Sequence, residues 1–293
     1  MNLKSLRDQL LLQEDLNFLL TNRVPRIALT RLMGRFSRIR NPWIARASIA
    51  VWRLFTDLDL SDAKQQHFDS LHACFTRELV AGARPYRPDP RELASPCDAI
   101  VGAMGQVEAG TLLQAKGFPY TLQSLMGSPA LAQRYAQHSY ITLRLTSSMY
   151  HRFHAPCDLE VQRVTYISGD TWNVNPIALR RVKELFCKNE RAVLEARTTH
   201  TDETLALVPV AAILVASIRL HFLNVLLHLR YQGPHTIACA APMAKGQEMG
   251  WFEHGSTIIV FVPPTWQWAS GIAPGLRIKA GDALAVQPPS ATV

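Results

Sequence analysis

Short apolar runs separated by turn residues dominate this 293-residue chain from about residue 97 onward. Each run is long enough for a strand, is bounded by Gly, Pro, Asn or Asp, and is too short for most globular helices. One of them, TIIVFVPP at 257–264, is apolar throughout, as expected for a buried strand. The pattern predicts an α+β fold, with a basic helical region over residues 1–65 and a β-rich catalytic domain over residues 66–293.

Two segments need separate interpretation. The segment LSDAKQQHFDSLHACFTRELVAGARPY at 60–86 predicts a helix opened by a Ser61 cap and followed by a proline-rich stretch. The segment LALVPVAAILVASI at 205–218 is interrupted by Pro209 and is rich in β-branched residues. It is also shorter than the roughly 18–20 residues that a membrane-spanning helix needs, so it predicts a buried strand or another core segment.

The N-terminal residues and the cysteines indicate the cellular compartment of the chain. The first residues, MNLKSLRDQLLLQEDL, carry acids among the leucines, unlike the apolar core of a signal peptide. The cysteines are odd in number, widely spaced and without a C-x-x-C pair. These features predict free thiols and a chain kept in the cytoplasm.

Positive charge is concentrated at the N-terminus. Residues 1–53 contain ten Lys and Arg against three acids, a net charge of +7 out of +8 for the whole chain. At helical spacing Arg31, Arg35 and Arg38 share one face, and Phe36 lies on another face with other apolar residues. A basic amphipathic helix favours contact with an anionic membrane, and packing against the rest of the protein is the alternative. No nucleic-acid-binding motif accompanies the charge, so nucleic acid is not expected as a partner.

Four clusters in the β-rich region carry residues with useful chemistry. They are SPCDAIV with Asp98, YHRFHAPCD with His151 and His154, FCKNERAV with Asn189, Glu190 and Arg191, and EHGSTII with Ser256. Taken singly, each has an ordinary explanation as a turn, an ion pair or a core residue. The His-x-x-His spacing suits a metal, but no third ligand is evident nearby, so no metal site is expected.

Taken together and in this order, the clusters resemble the pyruvoyl-dependent phosphatidylserine decarboxylases, in particular their bacterial membrane-associated branch. The similarity covers nearly the whole chain, from VPRIALTRLMGRF in the N-terminal region to KGQEMGWFEHGST near the C-terminal end. Its most specific parts are KGQEMGWF followed by GST, and YHRFHAPCD.

The resemblance implies that the chain cuts itself. In this family the serine hydroxyl of the Gly-Ser-Thr step attacks the preceding carbonyl, and the serine becomes a covalent pyruvoyl group. The corresponding bond here joins Gly255 to Ser256. The resemblance assigns His154, oriented by Asp98, as the base that activates the serine, in the manner of a Ser-His-Asp triad. The expected products are a large and a small chain that stay together, residues 1–255 and 256–293.

The implied reaction is the decarboxylation of phosphatidylserine to phosphatidylethanolamine. A ketone joined to the substrate amine as a Schiff base takes up the electron pair left by CO2, which no ordinary side chain does well. The resemblance assigns His151 as the group that returns a proton to carbon. It further implies a peripheral protein at the cytoplasmic face of the cell membrane, in contact with anionic lipid, and commonly a homodimer.

Two residues depart from the family pattern. Met149 stands where an aspartate commonly precedes the Tyr-His step, and His254 stands where an apolar residue commonly precedes Gly-Ser-Thr. Two alternatives therefore stay open. One is a non-catalytic phospholipid-binding relative with impaired maturation, recognised by an intact single chain. The other is a serine hydrolase using Ser256, His154 and Asp98, although EHGST is not the G-x-S-x-G motif of such enzymes.

Overall fold

The computed structural model describes residues 14–15, 18, 25–115, 118–213, 217–253 and 256–288. From residue 92 onward these residues form mainly antiparallel strands, and the longest described helices precede them. The α+β expectation is confirmed at this level.

The described helices are short except for the first two. In α2, the side chain of Asn41 caps the first turn by accepting hydrogen bonds from the backbone N–H groups of Trp43 and Ile44. None of the helices in the described ranges is long and apolar enough to span a membrane. The helices are α1 (Arg26–Phe36), α2 (Pro42–Phe55), α3 (Leu71–Phe75), α4 (Leu122–Met126), α5 (Pro129–Arg134), α6 (Pro176–Arg181) and α7 (Leu185–Lys188).

The strands follow the apolar runs of the sequence closely. The segment 205–218 contributes β9, which contains Pro209, and the first residues of β10, as expected from its β-branched composition. The strands are β1 (Glu92–Ala94), β2 (Ala99–Gln106), β3 (Thr111–Ala115), β4 (Phe118–Thr121), β5 (Ser139–Leu145), β6 (Arg152–His154), β7 (Leu159–Ile167), β8 (Arg191–Thr198), β9 (Thr204–Ala211), β10 (Ser217–Leu220), β11 (Val225–His228), β12 (Thr236–Met243), β13 (Glu248–Phe252), β14 (Ser256–Val262), β15 (Gln267–Trp268), β16 (Arg277–Ile278) and β17 (Ala283–Val286).

The main sheet is antiparallel, with the strand order β12-β7-β8-β9-β14-β5-β2-β16. Strand β14 lies inside it between β9 and β5, and every residue of β14 is buried. Because side chains alternate across a strand, Ile258 and Val260 join one apolar core, whereas Ile259 and Phe261 join another. A strand covered on both faces must be apolar throughout, which explains the uninterrupted run after Ser256.

A smaller antiparallel sheet has the order β11-β10-β13-β6 and places the histidine motif beside β13. Glu248 pairs with His154, and Trp251 pairs with Arg152. The chain leaves this sheet at the end of β13 and enters the main sheet at Ser256. The predicted cleavage position therefore falls on the connection between the two sheets.

The helix predicted over residues 60–86 is wrong. Only α3 forms, and its cap is Ser70, whose side chain accepts a hydrogen bond from the N–H of Ala73. Ser61 instead donates its backbone N–H to the side chain of Asp59, a local turn that competes with helix formation. Residues around this turn fill a separate small core whose members lie in the loop and in α3: Leu58, Leu60, Ala63, Phe68 and Cys74.

Candidate active site

Ser256 begins β14 in a fully buried position. Its backbone pairs with Leu145 on one side and Ala211 on the other. Among the described residues, its hydroxyl oxygen and that of Thr257 have no hydrogen-bond partner. Leaving a buried hydroxyl unsatisfied costs about 1–3 kcal/mol, so the two adjacent hydroxyls make this position a candidate for chemistry. The preceding residues, His254 and Gly255, lie outside the described residues.

Asp98 lies just before β2 and is held by an arginine. Arg84 donates two hydrogen bonds to its carboxylate, from Nε to Oδ1 at 2.7 Å and from Nη2 to Oδ2 at 2.6 Å, and the N–H of Ala280 donates to Oδ1 at 2.9 Å. Burial alone would lower the pKa of Arg84, but the hydrogen bonds and charges of Asp98 and Asp62 outweigh it and raise that pKa. Asp98 is therefore one half of a bidentate ion pair.

His154, at the end of β6, makes two ring contacts. Its Nδ1 lies 2.9 Å from the carbonyl oxygen of Gly246, and its Nε2 lies 3.0 Å from the hydroxyl of Tyr150. A carbonyl only accepts, so Nδ1 carries the proton and Nε2 accepts one from Tyr150. Burial lowers the pKa of His154, which keeps the ring neutral near pH 7.

The expected hydrogen bond between Asp98 and His154 is not present in the described structure. The link between them is indirect, because the guanidinium carbon of Arg84 lies 5.9 Å from the centre of the Tyr150 ring. Sequence reasoning missed both connecting residues. Each stands inside a motif already quoted, Arg84 in GARPY and Tyr150 directly before His151.

His151 is fully buried and packs against α3. Its ring centre lies 4.0 Å from that of Phe75, and its Nδ1 lies 2.8 Å from the carbonyl oxygen of Met149. The backbone of Met149 thus orients the ring. The N–H of Phe252 donates to the carbonyl of His151 at 3.0 Å. His151 thus bonds to the last residue of β13, whereas His154 lies opposite its first residue, Glu248.

Metal binding has no support from a ligand cluster in the described ranges. No group of three His, Cys, Asp or Glu side chains is arranged there so that it could hold a metal ion.

The Asn-Glu-Arg cluster supports the strand next to Ser256. Asn189 donates to the carbonyl of Ala211, the residue paired with Ser256, at 2.9 Å. Arg191 donates to four backbone carbonyl groups around it, those of Ser124, Leu125, Cys187 and Asn189. Glu190 accepts a 2.5 Å hydrogen bond from Tyr166, and burial raises its pKa to about 7.

A second polar cluster, which sequence reasoning missed, surrounds Glu253. This buried carboxylate lies 2.6 Å from Arg38 and 2.8 Å from the hydroxyl of Ser217. His72 lies 3.6 Å from its other oxygen. Arg38 follows the end of α1, so it does not extend the helical face predicted for it with Arg31 and Arg35. The cluster instead connects the N-terminal helices to the segment just before Ser256.

The fold and site define a β-sheet protein in which a buried serine begins a strand of the main sheet, after a smaller sheet that carries His154. A family model described as phosphatidylserine decarboxylase matches residues 71–286. The chain belongs to the phosphatidylserine decarboxylase family.

Relatives match nearly the full length of the chain. The phosphatidylserine decarboxylase proenzyme of Anaeromyxobacter sp. (strain K) is 36% identical over 270 residues, covering 89% of this chain and 94% of the relative. Those of Brevibacillus brevis and Pseudomonas fluorescens are 32% and 34% identical, each covering 92% of this chain and 96% of the relative.

Proposed function

We propose that this chain is a proenzyme that cuts itself between Gly255 and Ser256 and then decarboxylates phosphatidylserine to phosphatidylethanolamine. The observation that carries the proposal is the buried hydroxyl of Ser256, which has no partner among the described residues. Ser256 begins β14, and the preceding strand, β13, pairs with the strand that carries His154. Family membership supplies the reaction, because the matching relatives carry that name and are called proenzymes.

The surroundings of Ser256 suit a group made from the chain itself. The residue is fixed by strands on both sides, and its side-chain oxygen has no hydrogen bond to another described residue that conversion would break. A pyruvoyl group at this position supplies an electron-withdrawing ketone that takes up the electron pair left by the departing CO2.

We assign the self-cleavage to Ser256 with His154 as base. The Ser256 oxygen bonds to the carbonyl carbon of Gly255 as the C–N bond breaks, and the hydroxyl proton passes through the base to the released amine. Loss of the α-proton then expels the Gly255 carboxylate, and hydrolysis of the resulting dehydroalanine releases ammonia. A neutral His154 is able to accept the proton at the start. Asp98 acts as a positioning residue, because its contacts reach His154 through Arg84 and Tyr150.

We assign the later proton return to His151. Its Nδ1 contact with Met149 and its packing on Phe75 fix the ring plane, so Nε2 is the atom that exchanges the proton. The carbonyl of Met149 thus orients this ring without a carboxylate at position 149. The Met149 departure is therefore compatible with turnover.

We infer that residues 1–65 dock on an anionic membrane and that residues 66–293 catalyse the reaction. Nine of the twelve exposed large apolar side chains in the described part of the chain lie between residues 27 and 55, including Trp43 at 77% exposure and Leu54 at 67%. Such clustering marks an interaction surface. Arg31 and Arg35 are exposed on the same segment and supply cations for lipid phosphates. Peripheral attachment at the cytoplasmic face and a homodimer complete the proposal.

The docking helices are fixed to the site by specific contacts. Arg26 in α1 forms an ion pair with Asp170 at 2.6 Å and stacks on Trp172 at 3.7 Å. Trp52 in α2 stacks on Phe75, the residue that packs on His151. A membrane bound by α1 and α2 is thus held at a defined position relative to the histidines.

The test is the intact mass of freshly purified protein under denaturing conditions, beside a Ser256→Ala control. We expect fragments of residues 1–255 and 256–293, the latter with the mass of an N-terminal pyruvoyl group, and only the full chain in the control. An uncut chain that stays uncut with anionic lipid contradicts the proposal and favours the lipid-binding relative. An uncut chain labelled at Ser256 by a fluorophosphonate favours the serine hydrolase.

A further inference from the structure

A cavity of about 470 Å³ lies between α1 and the smaller sheet. Three arginines around the end of α1 line it, and Arg230, which follows β11, lines it from the sheet side. Glu253 and His228 complete the polar lining. The cavity thus receives charge from two separate parts of the fold. The three arginines from the helix side are Arg31, Arg35 and Arg38.

The charges on this cavity do not cancel. Glu253 is occupied by Arg38 and Ser217, so it neutralises one arginine. In the described part of the chain, Arg31, Arg35 and Arg230 make no side-chain hydrogen bond or ion pair. Exposed arginines are usually just solvated, but here three converge on one concave site. Burial lowers the pKa of His228; Glu253 opposes this shift, and Arg38 and Arg230 add to it. An anion entering the cavity relieves this mutual repulsion.

The position of the cavity links it to both the membrane surface and the cleavage site. Glu253 is three residues before Ser256, so their α-carbons are at most about 11 Å apart. On the helix side, Leu32 and Phe36 are exposed next to the cavity-lining arginines. A molecule with an apolar tail at α1 and a charged head in the cavity therefore places its head close to Ser256.

We propose that this cavity binds the phosphodiester of the phosphatidylserine headgroup, with Arg35 and Arg230 as its principal donors. The inference rests on the proposed function and adds the residues that hold the substrate. Guanidinium groups suit this task because their paired N–H donors match two phosphate oxygens. Free phosphate has the same recognition chemistry, and the test must separate the two.

The first measurement is binding to full-length Ser256→Ala protein, which has no serine to convert, by isothermal titration calorimetry. The ligands are dihexanoyl-phosphatidylserine below its micelle concentration and inorganic phosphate. We expect the Arg230→Gln change to weaken lipid binding about tenfold or more and Arg230→Lys to restore part of it. The matched control is Arg277→Gln, an exposed arginine on β16, which we expect to bind normally.

Two results in this experiment overturn the inference. One is equal lipid affinity in the Arg230→Gln and parent proteins. The other is inorganic phosphate binding as tightly as the lipid, with the same dependence on Arg230, which indicates a site for free phosphate.

The second measurement separates this inference from the proposed function. In matured enzyme, we expect Arg230→Gln to raise KM with little change in kcat, and to leave vesicle sedimentation unchanged because Arg230 lies outside the docking helices. Wild-type turnover with an unaltered KM in the variant overturns the inference and leaves the function intact. Arg230-dependent lipid binding by the Ser256→Ala protein, without wild-type decarboxylation, overturns the function and supports the cavity.

Discussion

The ion pair between Arg84 and Asp98 gives the sharpest test of how the site is held together. Both side chains are about one tenth exposed, at 11% and 10%, and their contact is bidentate. Changing Arg84 to Met leaves the carboxylate with the N–H of Ala280 as its remaining hydrogen-bond donor. Removing one partner of a buried pair costs about 3–5 kcal/mol, and the slight exposure here favours the lower end, about 3 kcal/mol.

A double variant separates stability from maturation. Combining Arg84→Met with Asp98→Leu removes both charges, and we expect most of the lost stability to return because apolar replacements of buried pairs are often neutral. Asp62, which also contacts Arg84, is 44% exposed and loses little. The rate of self-cleavage should not recover in this double variant. We expect it to be slower by about 10- to 100-fold, below the full range of acid-base catalysis, because Asp98 acts through other residues.

Two assays measure these effects. Urea unfolding in a Ser256→Ala background compares uncut proteins, and timed intact-mass spectra in the Ser256 background give the cleavage rate. The matched control is Arg197→Met, which breaks the exposed pair with Asp202 and should cost less than about 1 kcal/mol. A double variant as unstable as Arg84→Met refutes the ion-pair energetics. A double variant that cleaves at the wild-type rate refutes the positioning role of Asp98.

The other predictions concern the membrane surface and a buried carboxyl. Replacing Trp43 and Leu54 together by Ser should reduce sedimentation with anionic vesicles more than tenfold, since each large apolar side chain contributes about 1.5–3 kcal/mol on burial, whereas Val80→Ser should not. Glu190 has its pKa raised to about 7, so the folded state binds its proton more tightly and stability should fall as pH rises from about 4.5 to 7. In urea titrations of Ser256→Ala protein, Glu190→Gln should reduce this pH-dependent loss of unfolding free energy by up to about 3 kcal/mol. An unchanged pH profile contradicts the assignment.

The strands were predictable because their signal is local. The run after Ser256 is apolar on both faces, and only a strand inside a covered sheet needs that pattern. The helix over residues 60–86 was not predictable from periodicity, because the Asp59 side chain captures the N–H of Ser61 and the chain turns instead.

The sequence motifs supplied candidate residues for the site, but not the contacts that those residues make. The motifs named Asp98 and His154, but the choice of Arg84 as the partner of Asp98 depends on how the loop before β1 folds against β2. Glu253 gave no sequence signal beyond standing near Gly-Ser-Thr. Its importance appears only when Arg38 and His72, both more than 180 residues away in the sequence, are brought to it by the N-terminal helices.

The position of the proposed cut explains how two chains can remain one folded unit. Ser256 is the first residue of β14, so cleavage before it leaves residues 257–262 and their strand pairing intact. The strand keeps its pairing with β5 on one side and β9 on the other, and its apolar side chains stay in both cores. Downstream, β16 pairs with β2, and β17 pairs with β1. The small chain is thus held by strands of the large chain along most of its length, while its new first residue stays between β5 and β9.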